Sequence, residues 1–441
     1  MVPISARFFL YALRSPLAHP LERKPKPKTT SRSSRRQPKR SRLKSKQPGP
    51  LNRYAFPFYS SLPPARRPPH PAGNSGAAFA KAHLGPFPSK PKGNSSFALA
   101  DILGAAGVKE IETVGSLRLH SVGDTGVLGG NSQQAVADAM SADFDVNKPA
   151  ANPAFFFHLG DVIYGHSKDV GYRDEFYRPY HKYPAKIVAV PGNHDGETLT
   201  GTDPKPLGAF LANFCALTAV LAPQASAAGV FRETMTQPGV YWMLDAPFVQ
   251  IIGLYSNIAE GPGDLEGASG DQQQITWLNS TLKAIAASRK GGVRKALIIG
   301  VHHPPFSQGG HSGSQAMLKQ IDDACKAAGI GPDALIAGHS HSYQRYTRNL
   351  TIAGKQAQVP YVVAGCGGHT DEAVGTASGQ VDGDHTFVKS TRGYGYLNII
   401  IDAQHLQIDF HLVLLPGGVV PGTGKTLFDS VKVNLATGRL V

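Results

Sequence analysis

Polar clusters interrupt the chain at six places, and each directly follows a short apolar run. They supply aspartate, asparagine, tyrosine and histidine side chains, which can bind metal ions or transfer protons. The clusters are GDTG (123–126), GDVIY (160–164), GNHD (192–195), HHPPFS (302–307), GHSH (338–341) and GCGGH (365–369). Taken singly, each is typical of a turn or an ordinary strand end. Their number and order along the chain indicate a common function instead.

The side chains in these clusters define the chemistry they can support. Seven of them are candidate metal ligands, and none is a thiolate. They are Asp124, Asp161, Tyr164, Asn193, His302, His339 and His341. Oxygen donors combined with imidazole nitrogens suit hard or borderline ions such as iron, manganese or zinc. Seven ligands are too many for one ion, so we expect two metal ions that share a bridging carboxylate, an arrangement that promotes displacement at phosphorus.

The apolar runs predict the strands that position these clusters. From about residue 97 onward, β-rich runs alternate with helical patterns, which is typical of an α/β layered domain. The predicted strands are 117–122, 154–159, 186–190, 249–255, 296–301, 334–337, 361–364, 396–401 and 406–414. Because the ligand sites of α/β sheets lie at the carboxyl ends of the strands, we expect the clusters to converge in space.

Helical patterns are fewer. One apolar stripe consists of Ile275, Leu278, Leu282 and Ile285. It predicts a helix that Asp271 caps, and a second predicted helix runs from about 314 to 328. The apolar stretch 207–222 is shorter than a bilayer crossing needs and is bracketed by prolines, so we predict a buried or lid helix and no transmembrane span.

The series of motifs resembles that of the metallophosphoesterase (calcineurin-like) superfamily, and within it the purple acid phosphatases. Their motifs are GDxG, GDxxY, GNH followed by D or E, VxxH and GHxH. This chain matches them in order over roughly 117–370 with GDTG, GDVIY, GNHD, IGVH and GHSH. The resemblance implies a layered α/β/β/α sandwich that hydrolyses phosphate esters, most like an acid phosphatase acting on small monoesters.

The resemblance also implies which residues hold each metal ion. A first ion, ferric iron in the family, would be held by Asp124, Tyr164 and His341. A second ion, divalent iron, zinc or manganese, would be held by Asn193, His302 and His339. Asp161 would bridge the two. His303 could replace His302 as ligand, but the family places a proline two residues after the ligand, which selects His302.

Two further histidines receive roles through the resemblance. His194 would hydrogen-bond the phosphate or protonate the leaving group, and His311, nine residues after His302, is a weaker candidate beside the ligands. Many superfamily members have a D-x-H motif, whereas this chain has Gly126 where that histidine would stand. Tyr164 is therefore expected to complete the first metal site, and a phenolate favours Fe(III).

The chain also departs from the family pattern. Ile299 stands where valine is usual, no β-sandwich module precedes the catalytic region, and no clear signal peptide is present. The N-terminal apolar run is short and lacks a clean cleavage site, which slightly favours a cytoplasmic location. An Arg- and Ser-rich, acid-poor leader also fits an organelle transit peptide, and export stays open.

Most of the positive charge lies in the first 48 residues. They contain fourteen Lys and Arg residues and one acidic residue, Glu22, and so carry +13 of the net charge of +14. Residues 23–46 have too few apolar side chains to offset the entropy of folding. We therefore predict a disordered basic tail or leader at 1–48 that makes non-specific contacts with anionic surfaces, a Pro/Gly/Ser-rich linker at 49–96, and a catalytic domain at 97–441.

Two other functions remain open at this point. A phosphodiesterase acting on nucleotides or nucleic acid would use the same fold, and composition does not separate it from a monoesterase. A non-catalytic protein that binds through its basic tail would require lost ligands, but all seven are present.

Several other features receive structural interpretations. The sequence PGTGKT (421–426) lacks the first glycine of a nucleotide-binding loop. YRDEFYRPYHKY (172–183) is interpreted as a solvated, aromatic-packed loop, with Arg173, Arg178 or His181 over the crevice as the alternative. Arg345 is expected to hold the loop after GHSH, and His369 is a candidate for contact with substrate. The three cysteines, Cys215, Cys325 and Cys366, form no CxxC pair and are predicted to be reduced and structural.

Overall fold

The computed structural model describes residues 84–90, 93–164, 171–196, 206–291 and 294–441. The predictions for the basic tail, the leader and most of the linker concern residues outside these ranges. Residues 84–90, within the predicted linker, lie against the folded domain. Gly85 N donates to Oδ1 of Asn257 (2.7 Å), and the ring of Phe87 meets the rings of Tyr241 and Tyr255 edge to face.

Strands make up most of the described regular structure. In chain order they are β1 (Ser96–Ala98), β2 (Ser116–Val122), β3 (Phe155–His158), β4 (Lys186–Ala189), β5 (Trp242–Asp245), β6 (Val249–Leu254), β7 (Ala296–Val301), β8 (Ala334–Ala337), β9 (Tyr343–Ile352), β10 (Lys355–Ala364), β11 (Val381–Asp382), β12 (His385–Thr391), β13 (Gly395–Asp402), β14 (His405–Val413), β15 (Lys425–Asn434) and β16 (Arg439–Leu440).

Helices connect and flank these strands. They are α1 (Ala100–Val114), α2 (Asn131–Ser141), α3 (Gly208–Phe214), α4 (Pro223–Ala227), α5 (Gln273–Arg289) and α6 (Gln315–Ala328). Shorter helical turns lie at Pro149–Ala151, Tyr172–Tyr177, His194–Gly196 and Ala268–Gly270. Among the described residues, no helix is long and apolar enough to cross a membrane.

The strands form two sheets. The larger has the order β1-β5-β6-β7-β8-β10-β9-β12-β11, and the smaller has the order β16-β15-β14-β13-β2-β3-β4. Strands β6, β7, β8 and β10 run parallel to one another, as do β2, β3 and β4. The parallel strands lie within the large sheet and at the β4 end of the small sheet, and antiparallel strands continue each sheet.

The two sheets pack face to face. Phe155 and Phe157 of β3 belong to the same buried core as Ile298 of β7, so this core lies between the sheets. Phe156 points to the opposite face because side chains alternate along a strand, and it shares a second core with Met140 of α2. The small sheet is therefore covered by the large sheet on one face and by helix on the other.

Helices also cover the outer face of the large sheet. Ile299 of β7 shares a third core with Leu282 of α5 and Met317 of α6. The order of layers is helix, sheet, sheet, helix, which confirms the predicted α/β/β/α sandwich. Burial of apolar side chains in three cores, at about 25 cal/mol per Å², is the main stabilising contribution to such a fold.

Most sequence predictions of regular structure are confirmed. The nine predicted strands are all present, although 361–364 is only the end of the longer strand β10. Ser314 caps α6, its Oγ accepting a hydrogen bond from Met317 N (3.3 Å). Asp271 was predicted to cap α5 but lies one residue before its N-cap, Gln272, where it accepts a hydrogen bond from Gln273 N (2.9 Å). The three cysteines are free and buried.

The helix predicted at 207–222 is wrong in its second half. Helix α3 ends at Phe214, and the chain then pairs with residues near 235. Met235 N donates to Asn213 O (2.8 Å), and Ala216 N donates to Met235 O (3.0 Å). Pairing with a distant segment supplies the hydrogen bonds that a longer helix would have made, so tertiary contact overrides the apolar pattern.

Candidate metal centre

The polar clusters of the two sheets meet at one edge of the molecule. The loops after β2 and β3 are joined by a hydrogen bond from Asp124 N to Gly160 O (2.9 Å). The loop after β2 also reaches the large sheet, because Gly123 N donates to Ala364 O at the end of β10 (3.0 Å). The convergence expected from the carboxyl ends of parallel strands is thus present.

Three of the candidate ligands have a left-handed backbone, which is uncommon outside glycine. The φ angle is 58° for Asp124, 54° for Asp161 and 68° for His339. Neighbouring glycines leave space for these turns, since a Cβ on Gly192 would collide with Oδ1 of Asp161 and one on Gly338 would lie 2.5 Å from Oδ2 of Asp124. Strained backbone of this kind clusters at functional sites.

One group of candidate ligands surrounds His302. Its Nε2 lies 3.0 Å from Oδ1 of Asn193 and 3.4 Å from Oδ2 of Asp161. Its Nδ1 is hydrogen-bonded to Leu159 O (2.9 Å), which orients the ring. One ligand atom each from Asp161, His302 and His339 lies within 4.8 Å of the others. Mixed oxygen and imidazole donors at this spacing fit a single metal ion.

The neighbouring His303 is turned away from this group. Its Nδ1 is hydrogen-bonded to Oγ of Ser256 (2.7 Å), and its Nε2 to Ala259 O (3.0 Å). Both ring nitrogens therefore have partners in the loop after β6. By contrast, Nε2 of His302 lies next to Asn193 and Asp161.

A second group consists of Asp124, Tyr164 and His341. The hydroxyl of Tyr164 lies 3.1 Å from Oδ1 of Asp124 and 3.2 Å from Nε2 of His341. The same Nε2 is 3.5 Å from Oδ1 of Asp124. Tyr164 also interacts with the carboxylate of Asp161, which places Asp161 between the two groups. The seven candidate ligands thus form two adjoining donor sets that fit a pair of metal ions.

The carboxylates give the interior of the site a negative potential. Burial alone would raise the pKa of Asp161, but His302 and His194 hold the pKa of this carboxyl far below its usual range. Burial likewise opposes the charged form of His302, yet Asp161 and Asp124 raise its pKa to about 9. A buried site that stabilises a proton in this way is suited to a bound cation.

Two candidate ligands are held in their uncharged forms. Burial, together with the neighbouring histidines, lowers the pKa of His339 well below its usual value, which leaves its lone pair available. Burial and the charges of Asp124 and Asp161 raise the pKa of Tyr164 well above its usual value. A strongly charged cation would be required to ionise this phenol.

His194 and His311 lie beside these donor sets. His194 N donates to Oδ1 of Asp161 (2.9 Å), and its Nε2 is 3.7 Å from Oε2 of Glu260. His311 lies on the other side, with Nε2 3.1 Å from Oε1 of Glu372 and its ring centroid 4.3 Å from that of His339. Both histidines are thus close enough to contact a molecule bound at the centre.

Sequence reasoning missed three acidic residues that support the site. Oε2 of Glu260 accepts a hydrogen bond from Nδ2 of Asn193 (2.8 Å), which turns the amide oxygen toward His302. Oε2 of Glu372 accepts a hydrogen bond from the backbone of His341 (3.3 Å). Asp195 accepts hydrogen bonds from Gly192 N of its own loop (2.9 Å) and from Val162 N of the loop after β3 (3.1 Å). The position of Glu260 just after β6 could have indicated its role, because β6 also ends at this edge.

The segments 421–426 and 172–183, which were interpreted as structural, make contacts within the fold. Lys425 of PGTGKT begins β15 and binds Asp143 and the hydroxyl of Tyr396. The prediction of a solvated loop at 172–183 is wrong, because Tyr172–Tyr177 forms a helical turn whose aromatic side chains are buried. Arg178 pairs with Asp174 (2.8 Å).

Arg345 lies within β9 and binds Asp429 of β15, with Nε 2.6 Å from Oδ2. Its role is structural, but it joins two strands and does not hold a loop after GHSH. His369 stacks on Tyr164, with ring centroids 3.6 Å apart.

Comparison with known proteins identifies the family. The model of the calcineurin-like phosphoesterase family matches residues 117–343, slightly more than half of the chain. The chain belongs to the calcineurin-like phosphoesterases, as the motifs predicted. A search of curated protein sequences gives no match.

Solved structures give more distant similarities. A purple acid phosphatase from yellow lupin (Lupinus luteus) seeds is 14% identical with a TM-score of 0.49, over 74% of this chain and 54% of that chain. PhoD is 13% identical with a TM-score of 0.43, over 74% and 71% of the two chains. A dimetal phosphatase from Danio rerio is 11% identical with a TM-score of 0.39, over 72% and 98%. The chain spans about half of the lupin enzyme, and the family assignment rests on the family model.

Proposed function

We propose that the protein is a dinuclear metal-dependent hydrolase of phosphate esters that acts on small-molecule monoesters, as an acid phosphatase does. The observation that carries this proposal is the pair of adjoining donor sets that meet at Asp161. Two donor sets of oxygen and imidazole ligands around one carboxylate suit a pair of metal ions better than a single structural ion. The motif order and the family assignment support the same conclusion.

The proposed ligands divide between the two ions. The first would be held by Asp124, Tyr164 and His341, and the second by Asn193, His302 and His339. Asp161 would be shared between them. When bound, such a pair supplies a hydroxide nucleophile near neutral pH and stabilises the charge that develops on the phosphoryl oxygens. Because a phenol with a raised pKa requires a strongly charged cation, Tyr164 favours Fe(III) in the first position, with divalent iron, zinc or manganese in the second.

The side chains beside the ligands handle the proton and orient the substrate. His194 is anchored by its backbone to Asp161, and its imidazole beside the ligands is the proposed donor of a proton to the leaving oxygen. Glu260, 3.7 Å from Nε2 of His194, orients that ring. His311, held by Glu372 at 3.1 Å, is placed to donate a hydrogen bond to the phosphate. Proton donation by His194 assists departure of an alkoxide. Because the nucleophile is a hydroxide and not a side chain, no covalent phosphoenzyme is required.

Reconstitution with defined metals tests this function. The purified chain is loaded with iron, manganese or zinc, its metal content is measured, and turnover of 4-nitrophenyl phosphate is compared with that of bis(4-nitrophenyl) phosphate. We expect two ions per chain and faster turnover of the monoester. Turnover of the diester alone would favour the phosphodiesterase alternative. A chain that binds two ions and hydrolyses neither ester would contradict the enzymatic proposal.

A further inference from the structure

The loop after β10, residues 365–372, forms a wall of the site to which the family motifs assign no role. Its backbone is joined to the loops that carry the ligands. Gly367 N donates to Gly123 O, His369 N to Asp124 O, and Glu372 N to His341 O, each at 3.0 Å. The 365–372 loop is therefore fixed to both the GDTG and the GHSH segments.

Within this loop, the ring of His369 lies flat against the phenol ring of Tyr164. The two ring planes are 4° apart and their centroids are separated by 3.6 Å. Nδ1 of His369 lies 2.7 Å from Gly126 O. Since a carbonyl oxygen only accepts hydrogen bonds, Nδ1 carries the proton and donates it. One hydrogen bond at its edge and one aromatic contact on its face fix the position of the imidazole.

These contacts restrict rotation of the Tyr164 phenol about its Cβ–Cγ bond. Its oxygen lies 3.1 Å from Oδ1 of Asp124, and the ring of His194 lies tilted against it by 38°, with centroids 4.5 Å apart. Neither of these contacts is parallel to the phenol plane. A flat ring held parallel to the phenol opposes that rotation, because turning the phenol would drive its edge into the imidazole.

We propose that His369 is a positioning residue that fixes the plane of the Tyr164 phenol at the first metal position. This inference rests on the proposed function, in which Tyr164 is a ligand of Fe(III). The ring orientation of a phenolate ligand governs its overlap with iron, and thus the visible charge-transfer band. Because it acts through Tyr164, His369 affects the band and the iron affinity rather than supplying a proton to the substrate.

Two substitutions separate the contacts of His369. His369→Phe keeps an aromatic face for Tyr164 and loses the donor to Gly126 O, whereas His369→Asn keeps a donor near the Nδ1 position and loses the ring. His385→Asn is the matched control, because His385 stacks on Phe306 at 4.0 Å and 18°. It removes a stacked histidine without touching Tyr164.

The test is the visible spectrum and Fe(III) affinity of the full chain loaded with iron and zinc. We expect His369→Asn to shift the band and lose about tenfold in Fe(III) affinity, while His369→Phe and His385→Asn keep the wild-type band. A wild-type band in His369→Asn would overturn the inference. Lower turnover of His369→Asn with an unchanged spectrum would assign His369 to substrate contact instead.

Folding and the proposed function are checked separately. Circular dichroism verifies that each variant folds. His369→Leu is a second variant without a ring, and an unshifted band in this variant would also contradict the proposal. A wild-type protein that binds iron but stays colourless would overturn the assignment of Tyr164 as ligand, together with this inference. A coloured wild type whose ringless variants are unchanged would overturn this inference alone.

Discussion

The phenolic oxygen of Tyr164 donates a hydrogen bond to Oδ1 of Asp124 over 3.1 Å. Asp124 follows β2 and Tyr164 follows β3, and the two strands are parallel neighbours in the small sheet. A side chain on the loop after β3 thus reaches the position next to the aspartate. The histidine of a D-x-H motif would have come from the loop after β2 itself.

Tyr164→Phe removes one oxygen atom from this pair and keeps the aromatic ring. We expect the iron-loaded protein to lose its visible absorption, because the band arises from the phenolate, while stability falls by about 1 kcal/mol through the lost hydrogen bond. Absorption spectra at equal iron content measure the effect. Tyr343→Phe is the control, since the buried Tyr343 donates to Asp429. A fully active wild type that is colourless and free of iron would assign Tyr164 to packing.

The adjacent histidines 302 and 303 should differ in their effect on metal content. His302→Ala removes a nitrogen that lies 3.0 Å from Oδ1 of Asn193, so we expect loss of about one metal ion per chain. His303→Ala breaks hydrogen bonds to Ser256 and Ala259 and should reduce stability while keeping both ions. Metal analysis together with thermal unfolding separates the two results, and the reverse pattern would transfer the ligand role to His303.

Gly126 has no space for a side chain. A Cβ at this position would lie 2.8 Å from Val162 O and 2.9 Å from Oε2 of Glu175. We expect Gly126→Ala to destabilise the protein by about 1–3 kcal/mol, as overpacking does. Gly291→Ala is the control, because a Cβ there meets nothing within 4 Å. Urea unfolding measures both variants, and equal stabilities would contradict the crowding at Gly126.

His158 should make stability depend on acidity. Burial lowers its pKa to about 3 from an ordinary value of 6.5, and its Nδ1 accepts a hydrogen bond from Gly160 N (3.1 Å). The folded state thus binds fewer protons than the unfolded state. This contribution is complete above pH 6.5 and is lost as pH falls toward 3, by at most about 1.4 kcal/mol per pH unit.

The pH dependence is tested by measuring the free energy of unfolding of the wild type and of His158→Gln between pH 7 and pH 4. His158→Gln removes the titrating group, so its stability should decline less steeply with falling pH than that of the wild type. Parallel curves for the two proteins would show that His158 contributes nothing to the acid sensitivity.

The central strands could be predicted from the sequence because each is an uninterrupted run of apolar residues. Strands β7 and β8 match the predicted bounds because sheets buried on both faces require uninterrupted apolar runs. Strand β9 was missed because it contains Arg345 and Arg348, whose charges are neutralised by Asp429 and Asp322. Partners that are distant in sequence leave no local signal.

The site shows the same difference between local signals and contacts with distant residues. The candidate ligands follow from motifs at strand ends, which are local. The partners of Asn193 and His341, namely Glu260 and Glu372, come from loops far along the chain. In the sequence their acidic side chains resemble ordinary solvent-exposed residues, and only the position of Glu260 just after β6 points to the site.

The left-handed backbone at Asp124, Asp161 and His339 sets stability against function. Each such residue costs on the order of 1 kcal/mol, which glycine would avoid. Glycine at any of the three is therefore expected to relieve backbone strain while removing a proposed ligand. Selection of variants for heat resistance alone would tend to erase the metal centre, whereas selection for activity would retain the strain.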